Sequence, residues 1–145
     1  MTEPRGERIW ADQPLFRQIR PTWFKHGRPS SLNFQPLPKD AGLLSVSAGS
    51  RTTAQRSFER FTSFAGASSG VMAVTVAECS GHGLPSFYDP IPAGDRFGPD
   101  PSHALIDFRA VGDRAIKRTA KLLCRSALQR GWAYCPDPRR GEAAD

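Results

Sequence analysis

The sequence predicts an α+β fold: a mainly antiparallel sheet with two helices in ferredoxin-like βαββαβ order, preceded by an N-terminal strand extension. Three observations carry this. A capped amphipathic stretch follows Thr52, a nearly continuous apolar, β-rich run spans 71–77, and a longer amphipathic stretch spans 113–130. Shorter runs around them have the period of two expected of half-buried strands.

Residues 1–14 mix charges with Pro4 and Pro14 and read as a disordered tail. Leu15-Phe16-Arg17-Gln18-Ile19-Arg20-Pro21 alternates apolar and polar side chains, a half-buried strand ended by proline. An aromatic loop, Thr22 to Pro29, leads to Ser30–Phe34, read as a second short strand. Pro36, Pro38, Asp40 and Gly42 mark a turn before the strand Leu43–Ser47. Thr52 and Gln55 stand at capping-box spacing, and Ala54, Phe58 and Phe61 fall on one face of the helix that follows, over Thr52–Phe64. The run Val71–Ala77 suits a central strand covered on both sides. From Ser80 to Ser102 five prolines interrupt any regular element, and loops of that length are often functional. His103–Phe108 returns as a buried strand. The last helix has Asp113 as its cap, Ile116, Ala120, Leu123 and Ala127 as its apolar stripe, and Gly131 just past its end. Trp132–Tyr134 adds a short strand, and 136–145 read as a second disordered tail, leaving one domain over 15–135.

The 145 residues contain 39% hydrophobic and 23% charged side chains, which excludes a disordered polyampholyte and a membrane protein. No run of about 18 apolar residues crosses a bilayer, and the N-terminus has no apolar leader segment, so the expected location is cytoplasmic. Cys79, Cys124 and Cys135 are odd in number and read as free thiols in a reducing compartment. Cys79-Ser80-Gly81-His82 is only half of a zinc pattern, and no metal site is expected.

The formal charge is +6, and its source is local. Arg114, Lys117, Arg118, Lys121, Arg125 and Arg130 fall within one run that has no acid, while elsewhere 14 basic and 14 acidic residues cancel. Arg114, Arg118, Lys121 and Arg125 line up at helical spacing, opposite the apolar stripe. Such a stripe is either a solvated outer face or an anion-binding one, for nucleic acid, nucleotide phosphates or an acidic protein surface. Trp23, Phe24, Phe87, Tyr88 and Trp132 are the aromatics available for base stacking, though no recognised nucleic-acid motif contains them.

No P-loop, dinucleotide fingerprint, zinc-protease or nucleophile-elbow motif occurs. Polar residues near strand ends remain: Arg17, Arg20, His26, Ser30, Ser31, Ser45, Glu78, Cys79, His82 and His103. Glu78 and Cys79 stand where the proline-rich stretch begins and His103 where it closes, so a Cys–His nucleophile is one reading and solvated loop residues another.

The segments Arg17–Pro21, Ser30–Pro36, Lys39-Asp40, Leu44–Val46, Ala73–Glu78 and His103–Phe108 together resemble a widespread set of short, uncharacterised bacterial proteins, which carries no activity to transfer. The order of Arg17, Ser45, a helix, and then Glu78 or His103 is similar to that of small ADP-ribosyltransferase-like bacterial toxins. That resemblance implies NAD as the cofactor, with Arg17 on its phosphates, Ser45 on the ribose, and Glu78 or His103 orienting the acceptor. Otherwise no cofactor is expected. A binding module on the basic helix, an NAD-consuming enzyme, and one half of a toxin–antitoxin or defence complex all stand open from sequence.

Overall fold

The computed structural model describes residues 6–64, 66–96 and 98–137. Residues 1–5 and 138–145, parts of the two expected tails, lie outside them. The chain is α+β. Its main sheet contains β1 (Pro14–Ile19), β4 (Leu43–Ala48), β5 (Gly70–Thr75), β6 (Ser86–Tyr88), β7 (His103–Asp107) and β8 (Trp132–Tyr134). A small ribbon pairs β2 (Phe24–Lys25) with β3 (Arg28–Pro29). The helices are α1 (Ala54–Ser63), α2 (Val76–Gly81) and α3 (Asp113–Arg130).

The sheet runs β6-β7-β4-β1-β5-β8, with every neighbouring pair antiparallel. This is not the ferredoxin-like order expected. β1, read as an extension, sits at the centre between β4 and β5. Its side chains explain why: Leu15 and Ile19 are fully buried, and all six of its residues pair with β5. Against β4 it pairs only at Leu15↔Ala48 and Phe16↔Ser47, so the seam between these two strands opens beyond Phe16.

One face of the sheet is the main core. Leu15, Ile19, Leu44, Val46, Met72, Val74, Ala104 and Ile106 pack there with Ala120, Leu123 and Ala127 of α3. The apolar stripe read from sequence is thus the buried side of α3, and Gly131 ends the helix with φ +87°. Burying the Leu123 side chain alone contributes about 2 kcal/mol. The cap is Gly112 rather than Asp113, which lies in the first turn. α1 covers β1, β5 and β8 on the opposite face. It starts one residue later than expected, because the Thr53 hydroxyl, not that of Thr52, accepts from the Arg56 amide (3.2 Å). Gln55 turns outward toward Glu59.

Three further segments depart from expectation for visible reasons. Ser31–Phe34 is a 3-10 turn, not a strand. The buried Asn33 amide donates to the Trp23 and Ser30 carbonyls, and its oxygen accepts from the Arg20 amide, so one side chain closes the loop after β1. The apolar run at 71–77 splits at Thr75, which with Glu78 forms a capping box and opens α2. The end of the N-terminal segment is ordered: Ile9 is buried, and its amide donates to the Ser86 carbonyl along the β6 edge. Among the described residues no helix is long and apolar enough to cross a membrane.

Candidate functional site

On the α1 side of the sheet, the part over β4 and the open β1–β4 seam is left as a cleft of about 310 Å³. α1 forms one wall, and Ile91 and Asp100 stand on the other side. The base of that proline-rich loop is closed by a two-way Ile91–Asp100 backbone pair (2.9 Å each). It is pinned to α1 by the Arg60 Nε–Asp100 Oδ2 ion pair (3.0 Å). Asp100 also accepts from the Ser102 amide and hydroxyl, so this buried carboxylate is fully engaged.

Cross-strand register puts Ser45, Ser47, His103 and Phe16 on the cleft face, because Ser45 faces Leu105, Ser47 faces His103 and Phe16 faces Ser47. Ser45 and His103 are thus diagonal neighbours, and Ser45 Oγ lies 3.2 Å from His103 Nε2. The other ring nitrogen, Nδ1, is 2.9 Å from the Asp89 carbonyl and 3.0 Å from the Asp89 carboxylate. The carbonyl accepts and the carboxylate stands beside it, so the proton belongs on Nδ1 and the Nε2 lone pair receives the Ser45 hydroxyl. Asp89 is fully buried, and its amide donates to the His103 carbonyl (2.8 Å). Backbone and side chain of one residue thus fix the imidazole. The result is a hydroxyl, an imidazole and a buried carboxylate in series, with the hydroxyl at the open end.

Around this series the walls are apolar. Phe61 and Phe64 are 36% and 44% exposed at the mouth, where the Arg60 guanidinium lies over the Phe64 ring. Phe61 was expected on the buried stripe of its helix. In the fold Ala54 and Ser57 take the buried positions, with Ser57 bonded to Ser47 and Gln18, and Phe61 is left at the rim.

Arg17 reaches the cleft from the other side. Its stem shares a face with Leu15 and Ile19, and its guanidinium occupies the open seam. There Nε donates to the Asn33 carbonyl (2.6 Å) and Nη1 to the Ser45 carbonyl (3.0 Å). Burial, and then the nearby Arg20 charge, pull its pKa down to about 10, which leaves it cationic at neutral pH.

Of the four residues grouped by the toxin resemblance, the cleft holds Arg17, Ser45 and His103. Glu78 is not among its lining residues, because the chain turns into α2 after Thr75. The Glu78 carboxylate accepts from the Thr75 amide (2.9 Å) and pairs with Arg130 Nη2 (2.8 Å). Burial alone would raise its pKa, but the hydrogen bonds from Arg130 and Thr75 hold it below the usual range. Cys79 is fully buried, and its thiol is pushed up to about 12 by burial and the Glu78 charge, so the Cys–His reading has no thiolate. Among the described residues no cluster of three or more His, Cys, Asp or Glu is placed to hold a metal.

The basic stripe lies on the opposite face of the molecule. Arg114, Lys117, Arg118, Lys121 and Arg125 are exposed, and none has an ion pair among the described residues. Arg130, at the end of the run, is taken by Glu78. Phe24, Tyr88 and Trp132 pack against the core, which removes them as open stacking platforms.

Sequence reasoning did not single out Asp89, Arg60 or the aromatic rim. Asp89 carries one local signal, an acid between the strand-like Ser86–Tyr88 and Pro90. Its partner is 14 residues further on, a distance only the fold closes. The chain matches no family model, no curated protein and no solved structure.

Proposed function

We propose that the protein is a small enzyme that cleaves an ester or thioester by nucleophilic catalysis at Ser45, with His103 as general base and Asp89 holding the imidazole. The observation that carries this reading is the Ser45 hydroxyl 3.2 Å from His103 Nε2, with the buried Asp89 carboxylate 3.0 Å from the other ring nitrogen, opening on a cleft. Ser45 Oγ attacks the acyl carbon while its proton passes to Nε2. That proton leaves with the departing alcohol or thiol, and an acyl-serine remains. Water then attacks the acyl carbon, giving its proton to Nε2, and the acid departs as Ser45 regains a proton. Volume sets the scale of the substrate, since 310 Å³ is at the small end of ligand pockets.

The test is hydrolysis of p-nitrophenyl acetate and of a short acyl thioester. Wild type should exceed both Ser45→Ala and His103→Ala by about 100-fold or more, the usual contribution of a positioned base. Equal velocities in all three proteins contradict the reading. NAD belongs in the same panel: the toxin-like alternative, now resting on Arg17, Ser45 and His103 without Glu78, expects nicotinamide release.

A second reading concerns α3, where the exposed and unpaired state of five basic side chains supports docking of an anionic partner. Nucleic acid is the simplest such partner, and an acidic protein in a toxin–antitoxin or defence complex would use the same face. Fluorescence anisotropy with RNA and DNA oligonucleotides at two salt concentrations tests it. Arg118→Glu with Lys121→Glu should abolish a salt-sensitive signal, and undiminished binding by the double variant removes the reading.

A further inference from the structure

Arg60, Arg109 and Arg130 are each held by one of the protein's own carboxylates. Arg60 has Asp100 at 3.0 Å, Arg109 has Asp107 at 2.9 Å and Arg130 has Glu78 at 2.8 Å. Arg17 has none among the described residues: its bonds go to two neutral carbonyls, of Asn33 and Ser45. A guanidinium carries five N–H donors in a planar fork, and two contacts leave the Nη2 edge without an acceptor. A charge drawn out of water with no carboxylate in contact is costly, and here only the more distant Asp40 offsets it. This charge stands in the opened β1–β4 seam, lines the cleft, and is bonded to the carbonyl of Ser45 itself.

We propose that Arg17 is the anchor for an anionic group of the substrate, so that the cleft takes a small carboxylate- or phosphate-bearing molecule with an apolar or planar body. The planar body follows from the walls, where Phe16, Phe61 and Phe64 flank the polar floor. The anionic head would complete the Arg17 fork, and the body would lie between the rings with its acyl group toward Ser45. This deepens the acyl-cleavage reading and rests on it for the reacting bond, but the anion anchor itself is a matter of binding and is tested as such.

Benzoate and phenyl phosphate are suitable probes, against the neutral benzamide and benzyl alcohol, titrated into the whole chain and followed by the His103 ring proton resonances. The anionic probes should bind about tenfold or more tightly than their neutral counterparts, as one charge-assisted hydrogen bond requires. Arg17→Lys should lose most of that ratio, and Lys25→Ala, an exposed position outside the cleft lining, should keep it. The comparison in wild type needs no variant, so it stands even if Arg17→Lys proves unstable. Equal binding of charged and neutral probes overturns the anchor, whether or not esters are cleaved. Anion binding that depends on Arg17 upholds it, even if no ester turns over and the catalytic reading fails.

Discussion

Replacing Asp89 with asparagine separates two jobs the residue does for His103. The Nδ1 proton goes to the residue 89 carbonyl at 2.9 Å, and the carboxylate lies beside the ring at 3.0 Å. Asp89→Asn keeps the carbonyl, so the ring should keep its tautomer, with Nε2 still facing Ser45. What disappears is the negative charge beside the imidazolium that forms as Ser45 gives up its proton. With the ring charge spread to about 4 Å from the carboxylate, that interaction is worth about 4 kcal/mol at an effective dielectric of about 20. The asparagine dipole returns part of it, so the expected loss is about 100- to 1,000-fold in the velocity of p-nitrophenyl acetate hydrolysis above the Ser45→Ala baseline. Melting temperature measured on the same samples separates this from unfolding. A folded variant within twofold of wild type would refute the reasoning, because Asp89 would then be a structural acceptor only.

Other consequences are independent of catalysis. The Glu78 carboxyl titrates below its ordinary value in the folded chain, so its contribution is fully present above the unfolded value of about 4.3 and is lost as pH falls through the folded one. Urea midpoints should accordingly place Glu78→Gln below wild type at pH 7, with the gap closing as acid protonates the folded carboxylate; a gap undiminished in acid contradicts the assignment. Leu123→Ala opens a void under α3 at a fully buried position and should cost about 3 kcal/mol in denaturant unfolding, with a value under about 1 placing the core elsewhere. A thiol reagent should modify the half-exposed Cys135 rapidly in the native protein and spare the buried Cys79 and Cys124 until unfolding, as timed intact-mass spectra would record.

Elements dominated by local physics were legible in the sequence. α3 has apolar positions at helical spacing, a glycine past its end and a uniformly basic outer side, and each holds in the fold. β4, β7 and β8 fall where alternation or apolar density put them. The strand order was not legible, because it turns on which partner β1 finds. Alternation in Leu15–Ile19 says that one side is buried but not that both edges are paired. Short polar devices also escaped: Asn33 closing a loop through three hydrogen bonds, and Thr75 with Glu78 converting the end of an apolar run into a helix start.

The site divides in the same way. Ser45, His103 and Arg17 were visible as polar groups near strand ends. Glu78 was visible too, and its role proved to be in a helix cap and an ion pair. Asp89 is joined to His103 across an excursion that local patterns do not constrain. Pairing of β6 with β7 brings the two together, since Tyr88 faces Ala104 and the next residue, Asp89, then bonds His103 in both directions.

Reaction with a fluorophosphonate, followed by peptide mass mapping, reads the state of the Ser45 hydroxyl most directly. A hydroxyl whose proton is drawn by an oriented imidazole should take up one phosphonyl group at Ser45 in wild type, with the adduct lost in His103→Ala. No adduct at Ser45, or one that forms equally without His103, would contradict the account.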